Sequence, residues 1–135
     1  MMIKLYTDAA SVATHPKIAQ IPSGAGILLV QNGHQYPFKQ IVTAVDNHAA
    51  EFQAAIIGFE KAQKLSESEE TVMFFTDSRL VADAVGKGVM KHYPDLTQKL
   101  LALQDSFQLV ITQWIPDRQN MGAHRLALQA LHQAH

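Results

Sequence analysis

Three carboxylates are spaced along the chain so that one fold could gather them. Asp8 follows the alternating run Ile3 to Thr7, Asp77 follows the apolar run Val72 to Phe75, and Glu51 lies near the start of a helical stretch opening at Asp46 or Asn47. Parallel strands of one sheet bring their carboxyl ends to a common edge, where α/β proteins bind ligands. Asp8 and Asp77 are therefore expected side by side, and a helix packed on that edge can add Glu51. Clustered carboxylates repel one another, and a cluster that persists usually holds a cation. All-oxygen donors favour Mg2+ or Mn2+, and two such ions about 4 Å apart would clamp the attacking and leaving oxygens of a phosphodiester. Singly, each acid has a plainer role: Asp77-Ser78 as a helix N-cap, Glu51 as a complement to the helix dipole, Asp8 as a turn residue. Their joint placement is what points to a metal site.

The elements that must position these acids are readable from periodicity. Ile3 to Thr7 alternates as a short strand, with Ile3 and Leu5 on one face and Tyr6 and Asp8 on the other. Ala9 to Ser23, holding Pro16 and Pro22, reads as a loop. Gly24 to Val30 reads as a strand, Asn32-Gly33 as a hairpin turn that tolerates positive φ, and His34 to Ala44 as the returning strand, with Pro37 marking an irregular or edge position. Phe52, Ile56 and Phe59 form one stripe of a helix running to about Lys64, with Asn47 as its expected N-cap. Val72 to Phe75 reads as a strand buried on both faces. Helices are expected from Arg79 to Val85, stopping at Gly86, and from Pro94 to Ser106. Leu109 to Ile115 reads as the last strand, closed by Pro116. A final helix spans Asn120 to His132, with Ala123, Ala127 and Ala130 on one stripe. The order β β β α β α α β α predicts an α/β fold: a mixed five-stranded sheet, three antiparallel strands then two parallel ones, flanked by helices.

Composition narrows the chemistry. The 135 residues suit a single domain spanning 1–135, 47% of them are apolar, and there is no cysteine, which excludes disulfides, zinc–thiolate sites and thiol catalysis. MMIKLYTDAA lacks the apolar core of a signal peptide, and no run approaches a membrane span, so a cytoplasmic protein without membrane contact is expected. The net charge of −1 lacks the basic surplus of a strong phosphate binder. Nucleic-acid binding should then be weak, locally patterned or metal-assisted. No protein partner is inferable, and a monomer is expected.

Five segments, in order and covering nearly the whole chain, resemble ribonuclease H of the type I class. Tyr6-Thr7-Asp8-Ala9-Ala10 is similar to the first-strand motif ending in Thr-Asp-Gly-Ser or Thr-Asp-Gly-Ala. Gly24-Ala25-Gly26 resembles the opening of the second strand. Asn47-His48-Ala49-Ala50-Glu51-Phe52 resembles the helix motif in which Asn-Asn precedes Ala-Glu-Leu, and Thr76-Asp77-Ser78 matches the Thr-Asp-Ser motif. Trp114-Ile115-Pro116 with Asn120, Ala123 and His124 is similar to the closing motif. The resemblance implies the ribonuclease H-like fold and two-metal hydrolysis of the RNA strand of RNA–DNA hybrids, leaving 5′-phosphate and 3′-hydroxyl ends. It implies that Asp8, Glu51, Asp77 and His124 are catalytic and hold two Mg2+ or Mn2+ ions with substrate bound. It further implies that Asn47, His48 and Asn120 face the duplex, which would be read by shape and 2′-hydroxyls, while Arg79 and Arg118, which depart from the pattern, are candidate duplex contacts with a solvated surface arginine as the plainer alternative.

The chain also departs from the pattern. His124 stands where the family carries Asp, which removes one negative charge and leads us to expect a shift toward Mn2+. Ala9 replaces Gly, so a positive φ there would be strained. His48 replaces the second Asn, and Arg79 stands where Gln is common. The loop Pro116 to Asn120 lacks the Gly-His of many bacterial members, with Arg118 as an electrostatic substitute. Of the basic protrusion only Lys87, Lys91 and His92 remain. Modest, salt-sensitive affinity follows. These departures keep a second reading open, a ribonuclease H-like nucleic-acid-binding module with weakened catalysis. A related 3′–5′ exonuclease is disfavoured, because the first strand carries Asp8-Ala9-Ala10 rather than an Asp-x-Glu pair.

Overall fold

The structure is a computed structural model that describes residues 2–12, 20–66, 70–88 and 90–133. Strands β1 (Met2–Ser11), β2 (Ile21–Gln31) and β3 (His34–Ala44) precede helix α1 (Asn47–Leu65). Strand β4 (Thr71–Thr76), helices α2 (Arg79–Lys87) and α3 (Pro94–Gln104), strand β5 (Leu109–Trp114), a 3-10 turn (Asp117–Gln119) and helix α4 (Met121–Gln133) follow. The strands form one five-stranded sheet in the order β3-β2-β1-β4-β5. β1 pairs antiparallel with β2 and parallel with β4, and β4 pairs parallel with β5. The expected mixed sheet of the ribonuclease H-like fold is what forms.

The alternation of β1 sorts the two faces of the sheet. Ile3 and Leu5 join Ala25, Ile27, Leu29, Val72 and Phe74 on the face covered by α1, where Phe52 and Phe59 are fully buried. Each such aromatic contributes roughly 2–3 kcal/mol of burial, so this face is the main core. The opposite face receives α4, through Ala123, Ala127 and Ala130. Gly24 and Gly26 make that contact possible. A Cβ on either would stand 2.0 Å from a backbone carbonyl oxygen of α4, that of Ala127 or Ala123. Asp8 pairs with Gly26 and so lies on the α4 face.

Several boundaries differ from the sequence reading. The expected loop from Ala9 to Ser23 is shorter: Ala9, Ala10 and Ser11 continue β1, paired with Ala25, Gly24 and Ser23, and Pro22 lies inside β2. Pro16 lies outside the described residues. Small, polar strand ends give no apolar alternation, which is why they read as loop. Ala9 also keeps an ordinary strand backbone, so the expected strain does not arise. The N-cap of α1 is Asp46, whose Oδ1 accepts from the Ala49 amide at 2.8 Å, and Asn47 is the first helical residue. α2 runs through Gly86 and ends at Gly88, whose φ of 75° is the left-handed cap. α3 ends at Gln104, two residues earlier than expected, and the final helix begins at Met121 rather than Asn120. β4 is not buried on both faces. Val72, Phe74 and Thr76 are buried and Met73 and Phe75 only partly so, because α4 packs over β1 to β3 and leaves the β4–β5 end uncovered. Leu109 and Ile111 are correspondingly exposed. The Asn32-Gly33 turn forms as expected, with φ of 54° and 78°, and β3 is an edge strand that accommodates Pro37. No described helix is long and apolar enough to cross a membrane.

Candidate active site

The carboxyl ends of the parallel strands β1 and β4 meet at one edge of the sheet. Asp8 stands near the end of β1, Asp77 immediately after β4, and α1 crosses behind them so that Glu51, in its second turn, reaches the same place. Each acid offers one carboxylate oxygen within 4.8 Å of the other two. Glu51 is fixed by the Ala9 amide, which donates to its Oε1 at 2.5 Å. The N-terminus of α1 is locked in turn. Tyr93, in the left-handed region at φ 58°, donates its hydroxyl to Asp46 at 2.5 Å, and its ring lies against Phe52. Burial pushes the Tyr93 hydroxyl up to about 12, and the bond to Asp46 adds to that shift. Asp46 lies below its usual range: burial alone would raise it, but the Tyr93 hydroxyl and the Ala49 amide hold it ionised.

The triad is electrostatically loaded. Burial, then the charges of Asp8 and Asp77, push Glu51 well above the ordinary carboxylate range. Burial and the neighbouring Asp8 raise Asp77 to about 6, with the Asn120 side chain opposing and Asp117 reinforcing the shift. Oxygen donors this close, which resist ionising together, fit a hard divalent cation, whose charge would remove their mutual repulsion.

His124 lies across the cleft on α4. Its Nδ1 is 2.8 Å from Asp8 Oδ2, so it touches one acid of the triad and stands outside the three-carboxylate group. Asn120 is almost fully buried. Its Nδ2 donates to the Thr7 carbonyl at 2.8 Å, which sets its amide near enough to Asp77 to favour the ionised carboxylate. That differs from the expected contact with a duplex: Asn120 is an internal brace between β1, Asp77 and the start of α4.

The acids open into a cleft of about 400 Å³ lined also by Asn47, His48, Ser78, Arg79, Asp117 and His124. Both α1 and α2 begin at this cleft. Of the residues expected at a nucleic-acid surface, Asn47, His48 and Arg79 are exposed on its wall, whereas Arg118 is exposed on the 3-10 turn and does not line it. Two contributors escaped the sequence reading. Asp117 lies on the wall, and its place directly after Ile115-Pro116 was the available signal. Trp114, the only tryptophan, donates from Nε1 to the Asp77 carbonyl at 3.0 Å and carries the Arg79 guanidinium 4.0 Å above its ring.

Comparison with known proteins follows the same outline. A family model described as reverse transcriptase-like matches residues 10–130. EbsB of Enterococcus faecalis, provisionally named a hydrolase, is 30% identical over 132 residues, covering 96% of this chain and 94% of that protein. The crystal structure of RNase H1 from the halophilic archaeon Halobacterium salinarum superposes with a TM-score of 0.82 at 24% identity, over 98% of this chain and 99% of that one. LC11-RNase H1 in complex with RNA/DNA hybrid superposes with a TM-score of 0.80 at 20% identity, over 98% of both chains.

Proposed function

The chain belongs to the ribonuclease H family, its match over residues 10–130 being to the model described as reverse transcriptase-like, and from that premise we propose that it is a metal-dependent endoribonuclease acting on the RNA strand of RNA–DNA hybrids. The observation that carries this reading is the convergence of Asp8, Glu51 and Asp77 within 4.8 Å at the floor of an open cleft. A module that only binds nucleic acid gains nothing from three mutually repelling acids. Mg2+ or Mn2+, bound as a pair with substrate, would supply charge neutralisation and Lewis-acid activation at the phosphodiester.

In this reading the chain's own residues provide holding and orientation. Asp8, Glu51 and Asp77 would hold the ions through their carboxylate oxygens, one from each lying within 4.8 Å of the other two. The Ala9 amide holds the Glu51 carboxylate, and the Trp114 indole holds the Asp77 backbone. His124 completes the site: with Nδ1 engaged by Asp8, Nε2 is the nitrogen left for an ion or a water. Asn47, His48 and Arg79 receive the duplex on the cleft wall, beside two helix N-termini suited to phosphate, with Arg118 on the neighbouring turn. Products with 5′-phosphate and 3′-hydroxyl ends are expected.

The test is a labelled hybrid incubated with Mg2+ or Mn2+, comparing the parent with Asp8→Asn. Cleavage of the RNA strand by the parent, reduced by about a thousandfold or more in the variant, is expected for loss of a metal-holding group. The replacement of an acid by His124 favours one competitor, a binding module with weakened catalysis. Hybrid binding without cleavage under either ion would select it.

A further inference from the structure

Arg79 and Trp114 form a unit that metal binding alone does not explain. Arg79 is the first residue of α2, the end of a helix where the backbone dipole disfavours a cation. Its side chain is exposed, and among the described residues no carboxylate lies in ion-pair range of it. What holds it is the face of Trp114, 4.0 Å from guanidinium carbon to ring centroid. The edge of the same indole donates to the Asp77 carbonyl at 3.0 Å. Trp114 ends β5 in register with Thr76, and the Ile115 amide donates to the Thr76 carbonyl at 2.9 Å, so the indole is anchored to the strand that delivers Asp77. One side chain therefore touches both the backbone of a triad residue and a cation on the cleft wall. A guanidinium stacked on a ring keeps its edge donors free, in the fork that matches phosphate oxygens.

We propose that Trp114 is a positioning residue: its ring aims Arg79 at a backbone phosphate of the bound duplex, and its Nε1–H sets where Asp77 stands relative to that phosphate. The inference rests on the hybrid-hydrolysis reading above and names a duplex phosphate as the group Arg79 receives. A merely structural indole, covered by a surface arginine, predicts a change in stability and nothing else.

The experiment measures hybrid affinity against KCl concentration in the Asp8→Asn chain, which leaves the hybrid intact, with and without Arg79→Ala, Trp114→Leu or Trp114→Phe. Losing one phosphate contact lowers the slope of log Kd on log salt by about 0.9. Arg79→Ala is expected to show that loss. Trp114→Leu shows much of it although Arg79 is still present, and Trp114→Phe, which keeps a ring, shows little. In the active chain, Trp114→Phe leaves KM unchanged and lowers kcat by about fivefold, because only the hold on Asp77 is lost. If Arg79→Ala and Trp114→Leu both keep the parent's salt slope, the inference is overturned while hybrid cleavage stands. If the parent neither binds nor cleaves the hybrid, both readings fall. Should Trp114→Leu not fold by far-UV circular dichroism, Arg79→Ala and Trp114→Phe decide the question: an unchanged slope in the first and an unchanged kcat in the second would overturn it.

Discussion

Asp77 shows how the cleft alters a single residue. Its carboxyl titrates near 6 in the folded chain, against an ordinary value of 3.8, chiefly through burial and then through Asp8. Between those two pH values the folded state binds more protons than the unfolded one, so stability falls as pH rises through the window and stays lower above it. In the metal-free protein, Asp77→Asn should therefore be more stable than the parent at pH 7–8 by about 1 kcal/mol, discounted for half-exposure, and near equal at about pH 4. Urea unfolding with a chelator present measures this, and an equal difference at both pH values would contradict it. His124 makes the second prediction at this scale. His124→Ala should lose roughly tenfold in cleavage with both ions, and His124→Asp should move the preference toward Mg2+. An alanine variant matching the parent with both ions would remove His124 from the site. The three acids were legible in the sequence because each closes a recognisable run of residues. The Nδ1 bond from His124 to Asp8, the burial of Asn120 and the role of Trp114 were not, since each depends on a contact across the chain.

At the scale of elements, the site exists because α4 lies unusually close to β2. Gly24 and Gly26 remove the side chains that would hold the helix off, and the helix carries His124 to Asp8. Gly26→Ala would place a methyl group 2.0 Å from the Ala123 carbonyl oxygen, so a loss of about 3 kcal/mol or more is expected from urea unfolding, with weakened cleavage as α4 shifts. Gly86→Ala is the control. It lies inside α2 with nothing within 4 Å of an added Cβ, and should stabilise by about 0.5–1 kcal/mol. Equal effects from the two substitutions would contradict the close-packing account. Gly86 also shows where local reading fails. A glycine at the end of an apolar helical pattern signals a stop, yet the chain stays helical for one more residue and caps at Gly88. The order and kind of the elements follow from periodicity, whereas the length of β1, the uncovered face of β4 and the choice of Asp46 as cap follow from tertiary packing.

At the scale of the whole molecule, a chain of net charge −1 concentrates three acids on the floor of a cleft whose wall carries Arg79. Without metal that floor repels a polyanion, so hybrid binding should depend on divalent ions and weaken steeply with salt. This separates the molecule from nucleic-acid binders that rely on a basic surface, and it makes ion-dependent cleavage the property most diagnostic of the account. The direct measurement is the fate of a labelled RNA–DNA hybrid with the parent chain in Mg2+, in Mn2+ and in chelator, beside Asp8→Asn. The account predicts RNA-strand cleavage by the parent only when a divalent ion is present, with 5′-phosphate and 3′-hydroxyl ends, and none above background from the variant. An intact hybrid under both ions, or equal cleavage by the parent and Asp8→Asn, would contradict it.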